Sequence, residues 1–280
     1  MTRIPRVTQP GVQVDRGIVI WSAGSSARPV DVWFHPGLGD SHASYREAFA
    51  SRLPAVARVY VFDPPGHGAS PPRRGGLTID AAARLWAGLV ARHSRSRRVV
   101  LVGHSMAAMI ASETARRRAR APALVVSVDG NLTGADAWLS GRAVRHAGPA
   151  GFHAELCERL RPSIRGNDVL RRYACSFDAA DPKTLWTLGR SVVARADPGA
   201  SFRRLLCAKV HYWDGESARP LTSRYIARHS IPARRLDGLG HWPMVKAPAQ
   251  FYAVLTEDIL RHALSARRPV TAPFRSRARP

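Results

Sequence analysis

Ser105 lies in the run Arg98-Val99-Val100-Leu101-Val102-Gly103-His104-Ser105-Met106-Ala107-Ala108, where a β-branched apolar stretch stops at a glycine and an alanine-rich segment follows. This pattern predicts a buried strand that turns sharply into a helix with the serine at the tip of the turn. Such a turn needs small residues two before and two after the serine. Gly103 meets the first condition, and Ala107 stands where the G-x-S-x-G pattern has its second glycine. The turn exposes the hydroxyl and leaves the Met106 N–H free at a helix N-terminus to stabilise an oxyanion. A serine hydroxyl is a poor nucleophile at neutral pH, so a base must take its proton as it attacks. His241, in Leu239-Gly240-His241-Trp242-Pro243, is the candidate base, since an imidazole can also return the proton to a leaving group. A carboxylate should orient that imidazole.

The elements that must position these residues follow from hydrophobic pattern and punctuation. Segments 11–22 and 29–35 read as strands with a turn between them. The second runs into Pro36-Gly37-Leu38-Gly39-Asp40. Residues 41–53 read as helical. A strand at Val59 to Phe62 closes in Asp63-Pro64-Pro65-Gly66-His67-Gly68-Ala69-Ser70. A crossover helix over 79–92, the strand 98–102, a helix over 106–120 and a strand over 123–128 come next. From residue 132 to 206 strand signals vanish, and aromatic and leucine residues recur at loosely helical spacing. A late strand at 210–213, a short one near 233–236 and a closing helix over 247–264 complete the chain. Alternating strands and helices imply a mostly parallel sheet covered by helices on both faces, with function at the carboxyl ends of the strands.

Together the elbow at Ser105, the two glycine-punctuated loops at 35–40 and 63–70, and the late Gly240-His241-Trp242-Pro243 resemble the α/β-hydrolase superfamily. The branch is the esterase-like one that carries a helical cap. The likeness runs from about residue 11 to 264, with the cap region unmatched by motif. It implies a core of 11–131 and 207–264, an inserted helical cap of 132–206 and a disordered basic tail of 265–280. It also implies that the Leu38 N–H joins that of Met106 in an oxyanion hole, that the 63–70 loop is architectural, and that His241 is the base. Most of the family places the acid in a Gly-x-x-Asp pattern after the late strand. Here Gly215-Glu216-Ser217-Ala218 has alanine at that position. The segment Val128-Asp129-Gly130-Asn131-Leu132 resembles the acid turn of a subset that draws the acid from the strand after the elbow helix. Asp129 thus heads the candidates, with Asp214 and Glu216 as alternatives and Asp129 as a mere turn-capping residue the plain reading.

The implied activity is hydrolysis of a small or medium carboxylic ester through an acyl-enzyme. Cleavage of a carbon–carbon bond, a thioester or a lactone would use the same constellation. A non-catalytic small-molecule receptor is the reading from another class. Trp138, Phe152 and Trp186 are candidate substrate-binding residues in the cap, although aromatic residues at that spacing also serve packing.

Composition narrows the partners. The 280 residues carry a net charge of +23, with three lysines, Lys183, Lys209 and Lys246, among 43 basic residues. The charge is scattered and lacks interleaved aromatic residues for stacking on bases, so solvated surfaces are expected in place of a specific nucleic-acid site. No run reaches the roughly 18 apolar residues of a membrane helix, and the N-terminus lacks the apolar core of a signal peptide. Cys157, Cys175 and Cys207 have unrelated spacings, which fit neither a disulfide framework nor a metal cluster. The expectation is a reduced cytoplasmic protein with a small-molecule ester-like substrate, no cofactor, no metal, no membrane and no specific nucleic-acid partner.

Overall fold

The computed structural model describes residues 9–95, 97–216 and 218–265. Apart from Ser265, the basic tail lies outside them.

The segment read as one strand over 11–22 is two, β1 (Gly11–Asp15) and β2 (Ile18–Ala23). Arg16 and Gly17 between them have φ of 53° and 82°, so both residues sit in the left-handed region and the chain doubles back as a hairpin. The remaining strands are β3 (Val30–His35), β4 (Arg58–Phe62), β5 (Arg98–His104), β6 (Leu124–Val128), β7 (Ala208–Trp213) and β8 (Ala233–Arg235). They form one sheet in the order β1-β2-β4-β3-β5-β6-β7-β8. The β1–β2 and β2–β4 pairs are antiparallel, and every other pair is parallel. All residues of β3 and β6 are buried. That is why these strands read as continuous apolar runs, as both faces of a parallel sheet are covered.

Ten α-helices are described: α1 (Leu53–Val56), α2 (Ile79–His93), α3 (Ala107–Arg117), α4 (Pro149–Leu160), α5 (Asp168–Asp178), α6 (Pro182–Val193), α7 (Ala200–Arg203), α8 (Pro220–Arg228), α9 (Pro243–Lys246) and α10 (Pro248–Ile259). The helix expected over 41–53 is a 3-10 stretch, His42–Ala50, followed by α1. Helix α8 had no counterpart in the sequence reading. Successive residues of β3 show how the two layers are filled. Phe34 meets Tyr45 and Tyr252, whereas His35 meets Trp86 on α2. Alternation along a strand sends neighbouring side chains to opposite faces. Between β6 and β7 the chain is helical or 3-10 wherever it is regular. Among the described residues no helix is long and apolar enough to cross a membrane.

Several histidines are enclosed by this packing. Burial pushes His35 down to about 3 and His211 down to about 4, and it lowers His67 and His104 as well. His211 is held neutral against the Ser127 hydroxyl, 2.8 Å from its Nδ1. A histidine whose folded pKa lies below its unfolded value stabilises the fold fully above about pH 6.5. That contribution is lost as pH falls toward the folded value. For His211 the shift corresponds to about 3 kcal/mol. We therefore expect denaturant stability to fall between pH 7 and pH 4.5, with a shallower fall in His211→Asn. Equal slopes for the two proteins would show that His211 does not contribute.

Candidate active site

The residues with chemistry to offer follow the carboxyl ends of the parallel strands. Register brings those ends level: His35 pairs with Gly103, Gly103 with Ser127, and His104 with Val128. Val128 in turn pairs with Tyr212, and Trp213 with Arg235. The loops that leave β3, β5, β6, β7 and β8 therefore converge at one edge, the usual place for a site in such a sheet.

Ser105 has a φ of 54°. A non-glycine residue in this region costs about 1–3 kcal/mol and persists only where its surroundings hold it. Here the Ser105 N–H donates to the Val128 carbonyl at 2.9 Å, and the Ser105 carbonyl accepts from Ala108 N–H at 3.0 Å and Asn131 N–H at 3.4 Å. A Cβ at Gly103 would stand 2.2 Å from the Ala107 carbonyl oxygen, which explains the small residue two before the serine. Ala107 itself is fully buried, so its methyl group is accommodated where the pattern has glycine. The Ser105 hydroxyl has no hydrogen bond among the described residues and lines a cavity with His241.

His241 Nδ1 donates to Asp129 Oδ2. That bond assigns the proton to Nδ1 and leaves Nε2 with its lone pair. Asp129 is also left-handed, with φ 41°, and is pinned by its N–H to the Tyr212 carbonyl at 2.7 Å. Burial pushes the Asp129 carboxyl up, but the hydrogen bond from His241 outweighs this and holds it below the ordinary range. Asp214 is turned to other work. Its Oδ1 accepts from the N–H groups of Glu216 and Gly238, and its Oδ2 from Gly240 at 2.8 Å, so it shapes the loop that precedes His241. Glu216 is exposed. Of the three acids, the structure brings Asp129 to the histidine.

The N–H groups of Leu38 and Met106 have no acceptor among the described residues. The Leu38-Gly39 backbone is held by His67 and Tyr173. His67 donates from Nδ1 to the Pro65 carbonyl, which leaves Nε2 to accept the Gly39 N–H at 3.2 Å. Tyr173 on α5 donates to the Leu38 carbonyl at 3.0 Å. In the architectural loop, Asp63 accepts the N–H groups of His42 and Ala69, each at 2.7 Å.

Three further residues support the site, of which His104 was read from the sequence as a loop-structuring histidine. Asp40, almost fully buried, accepts from Ser44 Oγ at 2.6 Å and from Trp242 Nε1 at 3.0 Å. His104 donates from Nε2 to the His241 carbonyl at 2.7 Å. Tyr173, in the helical segment, is the third. Asp40 follows a recognised loop directly and Trp242 adjoins His241, but no local pattern pairs residues so far apart in sequence.

The cavity at Ser105 measures about 20 Å³, and its walls include Gly37, Leu38, His104, Trp138 and Trp242. Trp138 also meets the His241 ring edge-on at 6.4 Å. The other two aromatics of the helical segment do not reach it. Phe152 is wholly buried beside His146, and Trp186 donates from Nε1 to the Ala143 carbonyl at 3.0 Å. Both pack the helical segment internally, because the inward faces of α4 and α6 meet each other before they meet the sheet. A larger cleft of about 720 Å³, beside the Arg16–Gly17 turn and α2, includes none of these chemical groups.

Residues 33–254 match a family model described as the Alpha/beta hydrolase family. Among solved structures, a thermophilic esterase from Thermogutta terrifontis superposes with a TM-score of 0.70 at 20% identity, covering 91% of this chain and 98% of that one. The enol-lactonase from Burkholderia xenovorans LB400 gives 0.68 at 18% identity over 88% and 98%. A protein that recognises and ring-cleaves the Pseudomonas quinolone signal gives 0.69 at 21% over 90% and 99%. No curated protein matches the sequence.

Because the Gly103 position is closed by the Ala107 backbone, Gly103→Ala should destabilise the fold by about 1–3 kcal/mol. Gly75→Ala, where a Cβ would meet nothing within 4 Å, should stay within about 0.5 kcal/mol of the parent. Chemical denaturation of both variants checks this. Two equally stable proteins would mean that the turn does not require glycine.

Proposed function

The chain belongs to the alpha/beta hydrolase family, and from that footing we propose that it is a serine hydrolase that cleaves a small or medium carboxylic ester. The observation that carries this reading is the His241–Asp129 hydrogen bond beside the cavity lined by Ser105. It leaves the Nε2 lone pair available to a strained, unpartnered serine hydroxyl.

In this reading Ser105 Oγ attacks the ester carbonyl carbon, and its proton passes to His241 Nε2. The carbonyl oxygen takes the electron pair and is held by the N–H groups of Leu38 and Met106. Collapse of the tetrahedral adduct breaks the bond to the alcohol oxygen, which leaves with the proton from Nε2. Water then attacks the acyl-enzyme by the same proton route, which releases the acid and restores Ser105. Asp129 keeps the imidazole in the required tautomer and offsets the charge on it. The helices of 132–206 act as a cap over the 11–131 and 207–264 core. The presence of Trp138, Leu139, Ser140 and Tyr173 in the wall opposite Ser105 supports this division.

A lactone is a cyclic ester, so the same steps would open one. The structural likeness to an enol-lactonase keeps lactones within the substrate class. The receptor reading is weakened because nucleophile, base, acid and oxyanion donors all have counterparts at one strand edge.

A fluorophosphonate should label the parent protein at Ser105 alone, mapped by mass spectrometry, and Ser105→Ala should abolish ester turnover. Asp129→Asn should lower turnover by at least about a hundredfold, since loss of the orienting carboxylate in serine triads costs up to about 10⁴. Glu216→Gln should remain within a few-fold of the parent. Full activity in a folded Ser105→Ala protein would overturn the mechanism. Activity retained in Asp129→Asn would remove Asp129 from it.

A further inference from the structure

Two cavities of very different size meet at His241. The one that holds Ser105 and the Leu38 loop measures about 20 Å³, which admits roughly one water-sized group. Trp138, Leu139, Tyr173 and Trp242 close around it. The second measures about 330 Å³, within the usual size range of small-molecule sites. Asp129, Trp213, Arg219, Thr222 and Gly240 contribute to its walls. Asp136, Trp138 and His241 line both, so the two spaces adjoin across these three residues.

We propose that the substrate is an ester of a short acid, acetyl-sized, with a bulky flat aromatic alcohol portion that occupies the cavity between Trp138 and Trp213. The proposal rests on Ser105 as nucleophile and on His241 as proton carrier. The acyl carbon becomes bonded to Ser105, so the acyl chain must remain in the small cavity through the second half of the reaction. The alcohol oxygen receives its proton from His241 Nε2, so the leaving group departs past His241, a residue of both cavity walls. Two indole walls favour a flat aromatic group, because rings bury large areas against one another and gain from offset or edge contacts. Trp213 also has a buried Nε1–H with no acceptor among the described residues. Arg219, exposed beside this cavity, has no ion-pair partner among the described residues.

Two readouts test the assignment, one of them free of turnover. The rate at which Ser105 is labelled should be at least about tenfold higher for a methylphosphonofluoridate than for its octyl counterpart, since the alkyl group on phosphorus occupies the acyl side. Leu139→Ala should narrow that ratio. For the alcohol side, kcat/KM should favour benzyl acetate over ethyl acetate at least about tenfold, as these alcohols are of comparable basicity. In Trp213→Ala the preference should fall to a few-fold. Because each result is a ratio within one protein, loss of folded material cancels. Equal labelling by the methyl and octyl reagents, or no benzyl preference, overturns the proposal while Ser105 as nucleophile stands. If no reagent labels Ser105, the nucleophile reading fails and the substrate assignment falls with it.

Discussion

The hydrogen bond from the Ser105 N–H to the Val128 carbonyl joins the end of β5 to the end of β6, 2.9 Å across the sheet edge. It continues the parallel ladder by one step past the last regular pair, His104 with Val128. That step holds Ser105 in the left-handed conformation that projects its hydroxyl. It also fixes the residue just before Asp129. The return bond from Asn131 N–H to the Ser105 carbonyl closes a small backbone ring around the Asp129-Gly130 turn. Gly130 is required within it, because a Cβ there would lie 2.3 Å from both Ala108 Cβ and Ser127 Oγ. Serine and aspartate are thus placed by one piece of backbone.

The histidine is positioned differently. Its loop follows β8, an exposed three-residue strand at the edge of the sheet, and little regular structure anchors it. Anchorage comes from side chains. His104 holds the His241 carbonyl, Asp40 holds the Trp242 indole, and Asp214 holds the Gly238 and Gly240 N–H groups. The His104, Asp40 and Asp214 side chains are buried, so removing their partners would leave unsatisfied polar groups. The loop is held by three donors or acceptors from three different strand ends. The proton-carrying role proposed for His241 fits this arrangement, since its backbone is fixed while the ring lines the cavity with Ser105.

The elbow was readable from sequence because strand, glycine, serine and small residue are consecutive and obey local sterics. Likewise the glycine loops after β3 and β4 announced themselves, and His67 proved to brace the Gly39 N–H, a loop-structuring part for a histidine in such a loop. The division of residues 11–22 into two strands was missed although Arg16-Gly17 is a turn pair; the flanking apolar residues masked it. Trp138, Phe152 and Trp186 looked alike in sequence. In the fold, Trp138 meets His241, and the other two pack inside the helical segment. Helical spacing defines a face but not what that face will meet.

The sequence by itself determined the alternation of the central strands and helices, the sharp turn at Ser105 and the presence of a late loop histidine, since each depends on neighbours a few residues away. It left three acids in competition. Tertiary structure separates their surroundings: Asp214 accepts N–H groups from Glu216 and from the loop before His241, Glu216 is exposed, and Asp129 meets His241 Nδ1. The same holds for the supports of Asp40 and His104 and for the unequal cavities beside His241. All of these are set by the register of strands distant in sequence, and register is fixed by how whole faces of the sheet are buried, which no short motif records.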